Sequence, residues 1–321
     1  MQPAFRVIAD GQDVTQRIAD RLVELTVSDE AGGTSDTLDI RLDDREHAIE
    51  LPRRGAELEV AIGMGEAKTM GRYVVDEVTL EGPPATLSIA AKAADMRQSL
   101  KSQKTRSWDE TTLGDVVSAI AGEHGLEAKV ATELAAVSLT HVDQTEESDL
   151  HLVTRLAQRH GATAKPAGGA LLVVPRGSSQ TASGRTLPAM TIQGSELSRW
   201  SVTIADRERY ASVVATYHDP AKAEPVEVTV GSGEPAYRLR DPYPDEAAAQ
   251  EAADARLRSA KLGEATLRAT LAVGRPEAVA ETPITVEGVR EGVDGEWVAK
   301  RVRHRFGRSG YTTEIESEVP A

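Results

Sequence analysis

One short pattern occurs twice in this chain, once in each half. Residues 71–78 read GRYVVDEV and residues 295–302 read GEWVAKRV, so both contain Gly, any residue, an aromatic residue, Val, three more residues and Val. Similar strand-like segments flank both copies: LEV (58–60) and ATLSI (85–89) around the first, ITV (284–286) and TTEI (312–315) around the second. Unrelated strands share this vocabulary, so a chance match is the alternative. A duplication would instead predict two related β-domains separated by an insert.

The outer parts of the chain carry the alternation of apolar and polar residues that is typical of strands. Leu38, Ile40 and Leu42 alternate in TLDIRLDD, and similar short segments are separated by turns that contain Gly or Pro. Strand-like segments return after residue 186 and are interrupted by one helical segment, residues 245–262, which ends before Gly263. Many short strands at this spacing favour small barrels or sandwiches.

The middle of the chain has helical periodicity. In TTLGDVVSAIAGEHGL the apolar positions form one stripe at helical spacing: Leu113, Val116, Val117, Ile120 and Ala121. Thr112 with Asp115 is suited to the start of this helix, and Gly125 to its end. We therefore predict a mixed, mainly β fold with three domains: a first small β-barrel (1–95), an α+β middle domain (96–185) and a second, related β-barrel with an added helix (186–321).

The segment HVDQTEESDLHLVTRLAQRHGA (141–162) combines three histidines with four carboxylates, as a metal site or an acid–base site would. The spacing does not favour either, because no two histidines are four residues apart. Ser148 is suited to cap a helix, and Asp149 lies where its charge stabilises the N-terminal end. We interpret the segment as a capped scaffold helix, and we assign no catalytic, metal-binding or cofactor-binding residue anywhere in the chain.

The composition excludes several classes of function. The net charge is −14, which argues against broad binding of nucleic acids, and the chain has no cysteine for disulfides or thiol chemistry. No apolar stretch approaches the length of a membrane span, and the first residues do not have the pattern of a signal peptide. We expect a chain that is cytosolic when it is made.

A surface for partners is suggested by the strand AKRVRHRFGR (299–308), in which Arg301, Arg303 and Arg305 alternate with apolar residues and His304. This cationic face either is simply solvated or meets an acidic partner. The strands around 71–78 and 295–302 are the expected sites of contact with another chain. The candidate interface residues are Tyr73, Val78, Trp297, Arg301, Arg303 and Arg305.

Taken together and in order, several segments resemble the late control D proteins of phages. They are DGQDVTQRI (10–18), LPRRGAELEVAIG (51–63), GPPATLSIAAKAADM (82–96), SWDETTLGDVVSAIAGEHGL (107–126), QTEESDLHLVTRLAQRHGA (144–162) and WVAKRVRHRFGRSGYTTEIE (297–316). Late control D proteins are baseplate hub proteins of contractile tails, similar to the N-terminal part of type VI secretion spike proteins.

The resemblance implies a structural protein and not an enzyme. Hub proteins of this family are trimers in which each subunit contributes two similar small β-barrels, so that a pseudo-sixfold ring joins a hexameric tail tube to a trimeric spike. The implied partners are two further copies of the chain, the spike protein, the tube or its initiator, and other baseplate proteins. DNA would only pass through the lumen, which an acidic chain would make repulsive to it. The implied location is a virion or injection particle that is assembled in the bacterial cytoplasm.

A second interpretation concerns the cell wall. The stretch WDETTLGDVVSAIAGEHGL also resembles the helix of LysM-type modules that bind peptidoglycan, although the Asn-rich loop of such modules is impossible in a chain without Asn. The alternative function is therefore a peptidoglycan-binding or cell-wall-degrading tail component that acts through residues 96–185. Phage, bacteriocin-like particle and extracellular injection system remain equally compatible with the sequence.

Overall fold

The structure is a computed structural model that describes residues 2–32, 35–94, 98–167, 169–179, 187–204, 210–219, 224–262 and 264–320. The strands of the first part are β1 (Pro3–Ala9), β2 (Gln12–Asp13), β3 (Leu22–Glu30), β4 (Thr37–Asp43), β5 (Glu57–Met64), β6 (Lys68–Glu81) and β7 (Thr86–Ala93). Those of the middle are β8 (Gln103–Thr112), β9 (Glu127–Val130), β10 (Ser138–Ser148), β11 (Ala162–Ala167) and β12 (Ala170–Pro175).

The last part contains β13 (Met190–Gln193), β14 (Leu197–Ile204), β15 (Ser212–Asp219), β16 (Glu224–Gly231), β17 (Ala236–Arg238), β18 (Ala265–Leu271), β19 (Pro283–Glu287), β20 (Gly295–Gly307) and β21 (Gly310–Glu318). The α-helices are α1 (Thr15–Ile18), α2 (Leu113–Glu123), α3 (Thr132–Ala135), α4 (Asp149–Arg159) and α5 (Glu246–Leu262). Short 3-10 helices span Arg45–His47, Gln98–Lys101 and Gly194–Glu196. The fold is mainly β, as the sequence predicts.

A five-strand unit occurs twice within one curled, 13-stranded sheet. The strand order is β3-β4-β7-β6-β5 in the first unit and β14-β18-β21-β20-β19 in the second. If the strands of each unit are lettered a to e along the chain, both units have the order a-b-e-d-c. The units are joined in the same chain by antiparallel pairing of β3 with β20. The internal pattern in the sequence is therefore accompanied by a repeated topology.

The two units also share their pairing register, which is a stricter test than strand order. Val60 lies opposite Gly71 in the first unit, and Val286 lies opposite Gly295 in the second. Both glycines have positive φ, +145° and +138°, which a residue with a Cβ rarely adopts. One unit places Leu58 opposite Tyr73, and the other places Ile284 opposite Trp297.

Irregularities of the ladders fall at equivalent positions as well. The β6–β7 register shifts between Val75 and Glu77, and the β20–β21 register shifts between Ala299 and Arg301, in each case two residues after the aromatic side chain. A second pair of shifts follows Leu22 in β3 and Leu197 in β14. Because a bulge bends and twists a strand locally, shared bulges give the two units the same curvature.

Each unit has its own apolar core. In the first it is built from residues such as Leu25, Leu38 and Leu87, with Tyr73 among them. In the second, Trp297 lies among Leu267 and Val302. The alternation of apolar residues seen in the sequence is the inner face of each curled sheet.

The two longer helices of the middle segment form where the sequence predicts them. The hydroxyl of Thr112 accepts a hydrogen bond from the backbone N–H of Asp115 at the start of α2, and Ser148 caps α4 in the same way through His151. The stripe of α2 is buried, together with Leu152 and Leu156 of α4. Among the described residues, no helix combines the length and the apolar character needed to cross a membrane.

Residues 212–219 and 224–262 form a separate body inside the second unit. Strands β15, β16 and β17 make their own three-stranded sheet, and α5 packs on it through Ala249 and Ala253. The body is inserted between β14 and β18, at the place where β3 and β4 of the first unit are joined by residues 31–36 alone. Residues 212–219 (β15) and 224–231 (β16) fall within the range 186–321 expected for the second β-barrel, but these strands pair with each other and not with the large sheet.

Candidate assembly surface

Two of the expected interface residues are not on the surface. Tyr73 is 2% exposed and Trp297 is 6% exposed, and each belongs to the core of its own unit. The indole N–H of Trp297 donates to the carbonyl oxygen of Val293 at 2.9 Å, so its polar atom is also satisfied within the chain. Both side chains fill the curled sheet from inside, so neither aromatic ring faces outward from the single chain. Next to these aromatic residues their strands also have partners on both sides: β6 pairs with β5 and β7 at Tyr73, and β20 pairs with β19 and β21 at Val298.

The cationic face of β20 is largely neutralised by the strands beside it. Arg301 forms an ion pair with Glu30 of β3, directly opposite it in the ladder. Arg303 and Arg305 lie 3.7 Å and 4.0 Å from the carboxylate of Glu314 in β21. The positive stripe of the sequence thus meets acidic partners, but within its own chain.

Among the described residues, the pairing of β3 with β20 is the only backbone pairing that joins the two β-units. On its inner face Val302 lies opposite Asp29, His304 opposite Val27, and Phe306 opposite Leu25. Phe306 also contacts the ring of Phe5 at a centroid distance of 4.9 Å, within the first core. The strand β20 therefore completes the core of the other unit.

The sheet leaves two comparable positions open. Strand β14 ends the order of the large sheet, and the described residues pair it with β18 on one side only. Strand β6 pairs with β7 along one edge. Along its other edge it has partners only up to Val75, which exchanges backbone hydrogen bonds with Gly55 and Ala56, and no described residue pairs with that edge after Val75. Leu80 in this open stretch is 57% exposed, and Trp200 and Ile204 of β14 are 40% and 75% exposed. Open strand edges with apolar side chains are the usual sites of pairing with another chain.

The acidic and histidine-rich segment forms an ionic network around a buried carboxylate. Asp149 accepts hydrogen bonds from Lys104 at 2.6 Å, Arg106 at 2.8 Å and Gln144 at 2.8 Å, and its oxygen lies 2.7 Å from Nε2 of His124. Burial raises the pKa of Asp149, but these hydrogen bonds and the charge of Arg106 outweigh it and hold the pKa at about 2.

The same network contains the three described groups whose spacing is suited to a metal ion: Glu123, His124 and Asp149. Lys104 and Arg106 also bind Glu123, both at 2.6 Å, so the carboxylates already have cationic partners. Of the three histidines in residues 141–162, His141 lies 2.5 Å from Asp109 and His151 contacts Glu147, both at the surface, and His160 lies 2.8 Å from Glu251 of α5. The arrangement fixes α4 to β8 and α2, as a scaffold helix requires.

Buried charges also connect the middle segment to both β-units. The ammonium group of Lys165 donates to Asp29 at 2.8 Å and to Asp36 at 2.7 Å. One cation cannot neutralise two carboxylates, and burial together with the charge of Asp29 raises the pKa of Asp36 to about 6. Glu281 lies beside this junction, and burial raises its pKa to about 7.

The sequence contains the apolar residues of the open strands, but only the structure shows that these residues are uncovered. Trp200, Val202 and Ile204 alternate in RWSVTIAD, as core residues would, and Leu80 ends a strand of the same kind. Only the sheet order shows that no neighbouring strand in the described chain covers them. Val78, the remaining candidate, lies beside Leu80 in the sequence and is half-buried against the first core.

Comparison with known proteins agrees with this architecture along the whole chain. The chain is 35% identical to the probable baseplate hub protein of Escherichia phage 186, over 363 aligned positions that cover 99% of this chain and 93% of that protein. It is also 35% identical to the probable baseplate hub protein of Escherichia phage P2, with 99% and 94% covered.

Solved structures show the same fold at low identity. The 43 kDa tail protein of prophage MuSo2 from Shewanella oneidensis matches with a TM-score of 0.78 at 14% identity, covering 99% of both chains. The tail protein of Neisseria meningitidis MC58 matches with a TM-score of 0.76 at 15% identity, covering 99% of this chain and 97% of that one. The E. coli c3393 protein, a component of the type VI secretion system, matches with a TM-score of 0.58 at 14% identity, covering 94% and 74%.

The family assignment rests on the sequence comparisons. Residues 34–310 match the family described as phage tail baseplate hub (GPD), a range that contains four of the five strands of each β-unit and the segment between the units. Proteins of this family are structural components of the tail and not enzymes. This chain therefore belongs to the phage tail baseplate hub family.

Proposed function

We propose that three copies of this chain form a closed ring that joins a hexameric tail tube to a trimeric spike. The observation that carries the proposal is the repeat: two five-strand units with one strand order, matching registers and matching bulges. Three chains with two units each present six similar positions on one face of a ring. The same three chains present three identical positions to a spike on the other face.

Each β-unit would act as a tube-like domain of the ring. The expected limits are 1–95 for the first tube-like domain, 96–185 for the middle domain and 186–321 for the second tube-like domain. The partners would be two further copies of the chain, the spike protein, the tube or its initiator, and neighbouring baseplate proteins. With −14 charges per chain, a lumen lined by this protein would repel DNA during its passage. Assembly would take place in the bacterial cytoplasm, before the particle is complete.

The proposal is tested by the mass of the purified protein in solution, measured by light scattering, and by negative-stain images of the same peak. We expect a particle of three chains with a central opening. A chain that remains monomeric when it is co-expressed with its neighbouring spike protein would contradict the proposal. In that case binding of the intact protein to isolated sacculi would test the cell-wall interpretation of residues 96–185.

A further inference from the structure

We propose that the ring closes by continuation of the β-sheet from one chain to the next, with a register that the chain itself encodes. In this inference, which rests on the proposed trimer, the open edge of β14 in one chain pairs antiparallel with residues 78–82 of the next chain. Val78 lies opposite Ile204, Leu80 opposite Val202, and Gly82 opposite Trp200. The partner at this surface is a second copy of the chain.

The register follows from the join that already exists inside the chain. That join pairs strand d of the second unit, β20, with strand a of the first unit, β3. The equivalent strands are β6 and β14, since the bulges after Val75 and Ala299 match, as do those after Leu22 and Leu197. Replacing each strand by its equivalent converts the internal join into a join between two chains.

The equivalences are set residue by residue. Val302, His304 and Phe306 of β20 become Val78, Leu80 and Gly82 of the next chain. Their internal partners Asp29, Val27 and Leu25 become Ile204, Val202 and Trp200. No adjustment of the register is needed.

The apolar side chains match in this register. Leu80, Trp200 and Ile204 are exposed in the single chain, although Trp200 and Ile204 share a strand face with Val202, which packs on the second core. Pairing in the proposed register places Leu80 and Val78 against Val202 and Ile204 on one face of the continued sheet. The join would remove these large side chains from water, and this burial of apolar surface favours association.

Charges distinguish the proposed join from the internal one. In the internal join Arg305 of β20 lies diagonally across from Glu24 of β3. In the proposed join the two charges are exchanged between the strands, because Glu81 takes the place of Arg305 and Arg199 takes the place of Glu24. Diagonal neighbours on one sheet face are within reach of long side chains.

The exchange of charges also disfavours wrong pairing. If β14 took the place of β3 beside β20, Arg199 would approach Arg305, and if β3 took the place of β14 beside β6, Glu24 would approach Glu81. Both mistakes bring like charges together, whereas the internal join and the proposed join each bring opposite charges together. The two units therefore alternate around the ring.

Cysteine pairs test the register directly, because the natural chain has no cysteine. Leu80→Cys and Val202→Cys in one chain place thiols on residues that lie directly opposite in the proposed join, at Cβ distances of about 4.5–5.5 Å. Mild oxidation of the full-length protein should then produce covalent dimers and trimers on a non-reducing gel. Separately purified Leu80→Cys and Val202→Cys proteins, once mixed, should produce dimers only.

A slipped pair serves as the matched control. Leu80→Cys with Thr203→Cys differs from the test pair by one residue, which points the two thiols to opposite faces of the sheet. We expect at least tenfold less crosslinking from this pair. Equal crosslinking of the two pairs, or none from either in a protein that light scattering shows to be a trimer, would overturn the register and leave the trimer standing. A chain that is monomeric at every accessible concentration would overturn both.

Charge exchange gives a second test that does not depend on thiols. Glu81→Arg alone, or Arg199→Glu alone, should weaken association of the chains about three- to tenfold, and the double variant should restore most of the loss. Both residues are exposed in the single chain, so the variants should unfold at the same denaturant concentration as the natural protein. Additive losses in the double variant would contradict the proposed contact.

Discussion

Glu281 and Gly55 show at the scale of single residues how the two copies have diverged. Gly55 donates its backbone N–H to Val75, and Glu281 donates to Ala299 in the same place of the second unit. Both have positive φ, +82° and +66°. The first unit uses the residue that this conformation favours, whereas the second holds a glutamate there with its carboxylate buried beside residues 177–179. The position therefore combines backbone strain with a buried acid.

Replacement of this acid should make stability less dependent on pH. The pKa of Glu281 is raised from 4.5 to about 7 by burial, so its contribution to stability is full below pH 4.5 and is lost as the pH rises through 7. Glu281→Gln cannot ionise, and it should exceed the natural protein in free energy of unfolding by up to about 3 kcal/mol at pH 8. Near pH 4.5 the difference should vanish. Urea unfolding at both pH values measures it.

Glu291→Gln is the control for this prediction, because it removes the same charge from an exposed position in the same unit. We expect this variant to follow the natural protein at every pH. An advantage of Glu281→Gln that is as large at pH 4.5 as at pH 8 would show that the buried charge is not its cause.

At the scale of elements, the second unit tolerates a large insertion where the first has a short connection. Strands β14 and β18 are antiparallel neighbours, with Ile204 opposite Ala265, so the ends of the insertion leave the sheet side by side. The inserted strands and α5 have their own core around Val213, Ala249 and Ala253. The sheet does not depend on the insertion for its pairing.

Removal of the insertion should therefore leave the fold of both β-units intact. Replacing residues 205–264 with a short turn that contains glycine joins β14 to β18 as a hairpin. The contact of His160 with Glu251, 2.8 Å apart, is lost, so we expect a melting temperature only a few degrees lower. Circular dichroism and thermal melting measure this, and an insoluble or non-cooperative product would contradict it.

At the scale of the whole molecule, the net charge opposes the assembly that the sheet edges favour. Three chains of −14 each repel one another, and this repulsion is long-ranged and is screened by salt. Salt would instead weaken the proposed attraction between Glu81 and Arg199, but an exposed ion pair contributes only about 0–1 kcal/mol. The repulsion should therefore decide the overall effect of salt.

Raising NaCl from about 20 to about 200 mM should tighten association of the natural chain several-fold, because the shorter Debye length screens the repulsion between the acidic chains. Sedimentation of a dilution series at both concentrations measures the change. Arg290→Glu, an exposed substitution that makes each chain more acidic, should enlarge the effect of salt. Association that weakens with salt would show that local ion pairs dominate.

The sequence by itself determined the features that depend on neighbouring residues. The caps and stripes of α2 and α4, the preponderance of strands and the repeated Gly-aromatic-Val pattern follow from spacings of a few residues, which backbone geometry fixes locally. The same local reasoning placed Asp149 correctly in the first turn of a helix capped by Ser148. It could not supply Lys104 and Arg106, because these partners come from a distant strand.

Only the tertiary structure decided which strands are neighbours. Pairing of β3 with β20 joins residues that are far apart in the chain, and it turns the basic stripe around Arg301 toward Glu30 instead of toward a partner. It also places Tyr73 and Trp297 inside and leaves Leu80 and Ile204 outside. Alternation of apolar residues indicates that a strand has a face to bury, but what covers that face depends on sheet order, which is a property of the whole chain.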